Sequence, residues 1–167
     1  MPLPSAPLSM QHLLDRAAIA DLKYAYAYGV DQRDWALYRS IFADHIEIDF
    51  FDWAGIRDTW DADQWVATVK ETLAPFDATQ HVFSNPLITL NGDSAICVTT
   101  MTARHVLGDE AQILGGYYTE RMDRTVAGWK IAACSLKITW EEGDRDLFAR
   151  AAALGPRPRR DVGAQGI

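Results

Sequence analysis

Hydrophobic and polar positions change period along the chain, and each change marks an element. Leu13, Ala17, Ala20, Tyr24 and Ala27 recur at spacings of three and four. That spacing predicts an amphipathic helix over 10–28, with Ser9 as its N-cap. Gly29 weakens the helix near its end and puts Asp31 at or just past the last turn. Asp34 is expected to cap a short second helix with Trp35, Tyr38, Ile41 and Phe42 on one side. From His45 the period drops to two. Ile46, Ile48 and Phe50 alternate with Glu47 and Asp49, as in a half-buried strand. A third helix is expected over 62–74, with Trp65, Val66, Val69 and Leu73 on one face and Pro75 as its stop. Most of the remainder reads as extended. Segments 79–83 and 87–90 are interrupted by Pro86, and strands 95–107, 113–124 and 129–140 follow. Asn91-Gly92, Gly108-Asp109 and Ala127-Gly128 separate them. Asp144 is expected to cap a last helix over 145–154, closed by Gly155-Pro156.

Helices gathered at the start and strands gathered after them predict an α+β fold rather than a parallel α/β sheet. A long twisted sheet with helices on one side encloses a concave space. Strands that must curl need bulges, and Gly115-Gly116 is the expected kink. The organisation expected is a mobile leader over 1–8, one domain over 9–155 and a flexible tail over 156–167.

Composition narrows the class. In 167 residues, 16 Lys and Arg stand against 23 Asp and Glu, a net charge of −7. An acidic chain of this kind argues against nucleic-acid and anionic-membrane partners. Cys97 and Cys134 are too far apart for a zinc knuckle, and two cysteines do not make a disulfide scaffold. There is no signal-like leader and no run approaching ~20 apolar residues, so a cytoplasmic location is expected. The excess lies in aromatics, six each of Phe, Trp and Tyr. Trp35, Tyr38, Trp65 and Trp129 occupy core-like positions. Phe50, Phe51, Trp53 and Trp60 are candidates for a pocket mouth.

Few side chains are left for chemistry. His105 shares a strand face with Met101 and Ala103, and His81 shares parity with Phe83. Each reads equally as a satisfied core histidine. A histidine becomes a base at neutral pH when a carboxylate holds Nδ1–H and leaves Nε2 free. Asp31 is the candidate orienter, because an acid at a helix C-terminus opposes the dipole and calls for a specific partner. Asp31, His81 and His105 also match a two-histidine, one-carboxylate metal site, although no local ligand motif supports it.

A resemblance joins these residues. Asp15-Arg16-Ala17-Ala18-Ile19-Ala20-Asp21-Leu22, Tyr28-Gly29-Val30-Asp31, Thr79-Gln80-His81 with Asn85, Gly115-Gly116-x-Tyr118-Thr119 and Gly128-Trp129-Lys130 occur in that order. Together they resemble the SnoaL-like branch of the nuclear transport factor 2-like superfamily, over about residues 12–150. Within it the likeness is to scytalone dehydratase, hexachlorocyclohexane dehydrochlorinase and bile-acid 7α-dehydratase. The resemblance implies a cone-shaped, curved, mixed but mostly antiparallel sheet wrapped around N-terminal helices. It also implies an Asp–His dyad that performs eliminations with no metal and no cofactor.

Carried over by position, the dyad is Asp31 and His81, with His105 as a second active-site histidine. Tyr26 falls where relatives carry a catalytic tyrosine or lysine. Val30 and Phe50 replace water-positioning tyrosines, Tyr118 falls near a substrate-contacting asparagine, and Cys134 falls near a catalytic arginine. Tyr28, Phe50, Trp53, Tyr118 and Cys134 are therefore the expected substrate-binding residues. The expected activity is a dehydratase-type lyase acting on a small apolar, cyclic or polyketide- or terpenoid-like substrate. The alternatives are an isomerase or aldol cyclase using the same base, or a non-catalytic small-molecule-binding module. A homo-oligomer is expected, a trimer in preference to a dimer.

Overall fold

The computed structural model describes residues 9–159. The expected leader and residues 160–167 of the expected tail lie outside the described residues. Helix α1 (Met10–Gln32) starts at Ser9 in a reciprocal cap. The Ser9 hydroxyl accepts from the His12 amide, and the His12 ring accepts from the Ser9 amide. The helix continues through Gly29 rather than ending near it. A Cβ at Gly29 would stand 3.0 Å from the Tyr38 nitrogen. This glycine is there for close packing against α2 (Trp35–Ser40). The chain leaves α1 at Arg33 instead, which is left-handed at φ 59°. Asp34 caps α2 by accepting from the Leu37 amide at 2.9 Å.

Next come β1 (Phe42–Phe50), α3 (Phe51–Ala54), β2 (Ile56–Asp61) and α4 (Ala62–Leu73). The short α3 and β2 were not expected. Ile-Arg-Asp-Thr-Trp-Asp has little alternation because β2 is an edge strand with no buried residue. Four long strands follow: β3 (Ala78–Asn91), β4 (Ser94–Leu107), β5 (Glu110–Thr125) and β6 (Gly128–Glu142). Helix α5 (Leu147–Leu154) starts two residues later than expected, with Asp146 at its cap.

The six strands run in the order β2-β1-β6-β5-β4-β3. Every neighbouring pair is antiparallel except β1 with β6, which is parallel. The fold is therefore α+β with a mixed, mostly antiparallel sheet, as expected. Its curvature has a visible origin. The β5–β6 register shifts between Gly115 and Gly116, and a Cβ on Gly116 would lie 2.0 Å from the Lys137 carbonyl oxygen. Only glycine fits that bulge. Pro86 does not divide β3 in two. It sits in a register shift between Ser84 and Leu87, with Asn85 at φ 53°. That kink lies on the other edge strand, where a missing N–H is tolerated.

The main core fills the space between α1, α4 and the inner sheet face. The buried side of α1 is Asp15, Ile19, Lys23, Tyr26, Gly29 and Val30. The predicted stripe is instead mostly outside, with Leu13 and Tyr24 exposed. Two of the buried positions are charged, so the apolar residues alone give the wrong phase for the buried face. Each has a partner. Arg124 donates to both Asp15 oxygens at 2.8 Å, and the Trp129 indole donates to the same carboxylate at 3.1 Å. Lys23 Nζ lies 2.6 Å from Glu120 Oε1. No helix of the described residues is long and apolar enough to cross a membrane.

Candidate active site

Asp31 sits in the last turn of α1, and β3 packs beside that turn. Thr79 and His81 are two residues apart on β3, so both side chains face the same way. Asp31 Oδ1 accepts from the Thr79 hydroxyl at 2.9 Å and lies 2.8 Å from His81 Nδ1. Its Oδ2 accepts from the His81 amide at 2.6 Å. One carboxylate therefore fixes both the backbone and the ring of His81. An ionised Asp31 can only accept, so Nδ1 carries the proton, and in the neutral form of the ring Nε2 is the nitrogen with the free lone pair. The two side chains are mostly buried, 7% exposed for His81 and 13% for Asp31. The ion–imidazole contact is thus screened little by solvent.

His81 opens onto a cavity of about 120 Å³ between the inner sheet face, α4 and the α3 and α5 ends. Tyr26 and Tyr118 form its floor, with Phe50, Trp65 and Met101 around them. Trp53 and Phe148 meet edge to face at 5.7 Å, bringing α3 and α5 together over the cavity. His105 lies in the same wall, its ring 5.7 Å from that of His81. Phe76 and Phe148 enclose it at 5.3 and 4.7 Å. Burial, reinforced by the neighbouring His81, pushes the His105 pKa down to about 3. It is a neutral imidazole at pH 7. Burial likewise raises the Tyr26 and Tyr118 phenols well above their ordinary value, so both stay protonated donors.

Six of the nine expected site residues line this cavity: Tyr26, Phe50, Trp53, His81, His105 and Tyr118. Asp31 reaches it through His81. Tyr28 does not, and is 60% exposed. Two residues advance a helix by about 200°, so Tyr28 faces away when Tyr26 faces in. Cys134 is also outside the lining. It is buried with its thiol against Glu120 Oε1 at 3.7 Å, and burial pushes the thiol pKa up. Among the described residues, no three His, Cys, Asp or Glu side chains come together as a metal-binding group.

Thr79, Phe148 and the Lys23–Glu120 pair were not anticipated. Thr79 had a local signal, since it lies two residues before His81 on one strand face. Glu120 had one too, since it stands between Tyr118 and Met122 on an inward face. Phe148 had none, because only the packing of α5 brings it there.

A model of the SnoaL-like domain matches residues 11–135. The chain belongs to the SnoaL-like family. No curated protein matches it by sequence. Among solved structures it is similar to a Kribbella flavida protein, with 26% identity, a TM-score of 0.77, and coverage of 83% of this chain and 98% of that one. A type 2 hexachlorocyclohexane dehydrochlorinase has 22% identity and a TM-score of 0.71, covering 81% of this chain and 92% of its own. A candidate scytalone dehydratase from Novosphingobium aromaticivorans has 20% identity and a TM-score of 0.73, covering 83% and 93%. At those two identities the likeness is one of fold, the nuclear transport factor 2-like fold expected from the sequence. Dehydratase and dehydrochlorinase structures thus share the architecture of this SnoaL-like chain.

Proposed function

We propose that this SnoaL-like protein is a cofactor-independent lyase that removes water from a small, apolar, cyclic substrate. The observation that carries this reading is the His81–Asp31 contact at 2.8 Å, opening on an apolar cavity. His81 Nε2 takes a proton from a carbon acidified by a neighbouring carbonyl. Asp31 stabilises the imidazolium formed, as the aspartate of a hydrolase triad does. The Tyr26 and Tyr118 phenols donate to the developing oxyanion. The carbon–oxygen bond beside the new double bond then breaks, and the hydroxyl leaves as water with the proton returned by His81. His105, being neutral, acts as a hydrogen-bonding partner of that hydroxyl rather than as an imidazolium acid. A trimer is part of the same reading, supported by apolar side chains left uncovered on α1 and the outer sheet face, among them Leu13, Tyr24, Val82 and Tyr117.

The experiment is turnover of a panel of cyclic β-hydroxy ketones read by mass spectrometry. Loss of water supports elimination, whereas an unchanged mass points to isomerisation with the same base. His81→Ala is expected to lower the rate by about 10²–10⁴ with the circular dichroism spectrum unchanged. Undiminished turnover in that variant would refute the assignment.

A further inference from the structure

Behind the tyrosine floor lies a charge pair that the proposed chemistry does not use. Lys23 Nζ is 4.0 Å from the Phe83 ring centroid, 4.7 Å from Tyr26 and 4.8 Å from Tyr118. Two of those rings are cavity wall, so the ammonium is one aromatic layer from the ligand space. In that position a free cation would draw anions into the cavity, because a charge in a poorly solvated site acts over such distances. Glu120 cancels it. Its Oε1 lies 2.6 Å from Nζ, and the side chains are 2% and 0% exposed. Its Oε2 is buried with no hydrogen-bond partner among the described residues. Apart from the weak Cys134 thiol contact at 3.7 Å, Lys23 is the one partner of this carboxylate among the described residues.

The lining itself adds no permanent positive charge. The cavity lining contains no Lys, Arg, Asp or Glu. His105 is neutral, and Asp31 places a negative charge behind His81. Arg145 stands near the mouth, stacked 4.4 Å over Trp53, but its side chain is 56% exposed and lies 4.0 Å from Glu141. Solvent screens it.

We propose that Glu120 is a specificity-determining residue: by holding Lys23 in a buried ion pair directly behind Tyr26 and Tyr118, it silences the cation beneath the cavity and restricts the site to uncharged substrates. This rests on the cavity being the substrate site. The consequence for the reaction is that both the substrate and the group it loses are uncharged, which fits departure as water and not as an anion.

The test uses two probes of nearly the same shape, 2-acetylnaphthalene and 2-naphthoate, one uncharged and one a carboxylate. Affinities are measured by titration calorimetry at pH 6.5, while the His81 ring resonances report occupancy of the cavity. Wild-type protein is expected to bind the ketone at least tenfold tighter. Glu120→Gln takes the carboxylate away from Lys23, so that an anion in the cavity becomes the negative charge that favours its ammonium form, and the ratio is expected to shift by about tenfold toward the carboxylate. The double variant Lys23→Met/Glu120→Gln removes both charges and should restore the wild-type ratio.

Equal affinities in wild type, or an unchanged ratio in folded Glu120→Gln, would overturn the proposal. So would failure of the ketone to bind. If Glu120→Gln does not fold, the double variant decides, and a ratio more than threefold from wild type would overturn the proposal. Binding that leaves the His81 resonances unmoved would instead overturn the assignment of the cavity as the substrate site, and the proposal with it.

Discussion

An imidazole enclosed by Phe76, Phe148 and a second histidine is harder to charge than the same group in an unfolded chain. The folded pKa of His105, about 3, lies below its ordinary value of 6.5. Between those values the unfolded chain binds more protons, so the contribution is full above about pH 6.5 and is lost as pH falls toward 3. From pH 7 to pH 5 this one group should remove about 2 kcal/mol of stability. Urea unfolding at the two pH values checks it, with His105→Leu expected to lose about 2 kcal/mol less than wild type over that interval. At Asp31 the expectation concerns rate. Asp31→Asn keeps the size of the side chain, but its NH2 must face either the His81 amide or Nδ1, both of which donate to the native carboxylate, and the neutral amide stabilises an imidazolium less. Its kcat is expected to fall nearly as far as that of His81→Ala, and kcat within threefold of wild type would refute the orienting role. Both residues were legible as chemistry in the sequence, one as an acid at the unfavourable end of a helix and one as a histidine on a strand. Thr79 and Glu120 were missed because a lone threonine or glutamate in a strand has many ordinary explanations.

Element by element, the long strands β4, β5 and β6 were legible, whereas α3 and β2 were not. β4 alternates cleanly, with Ala95, Cys97, Met101, Ala103 and His105 buried in sequence. A strand with one dry face must alternate in this way. α3 and β2 are too short and too exposed to leave such a mark. Gly115-Gly116 was legible as a kink, and the packing explains why. Gly116→Ala would drive a methyl group toward the Lys137 carbonyl, and the bulge could not keep its register. We expect a loss of about 2 kcal/mol or more in urea unfolding, together with a weakened cavity wall, since Leu114 and Tyr118 flank the bend. Gly29 teaches the opposite lesson. A glycine near a helix end suggests a stop, yet here it lets α1 and α2 approach closely and carries α1 four residues beyond the predicted end to hold Asp31.

For the whole molecule, the proposed trimer is tested by sedimentation velocity. The expected species has three times the 18.7 kDa chain mass, and a monomer across the micromolar range would refute it. The sequence by itself determined the fold class, the order of most elements and the pairing of helix-end aspartate with strand histidine. Those features follow from local periodicity, turn chemistry and a family likeness spread along the chain. The tertiary structure decided which face of α1 is inside. The apolar stripe of Leu13 and Tyr24 turned outward, while Asp15 and Lys23 went in. Burying a charge is unfavourable unless a partner meets it. Those partners, Arg124 and Glu120, lie about a hundred residues away on another element. No local pattern records such a distant contact, so the wall behind the cavity became visible only when the sheet closed over the helix.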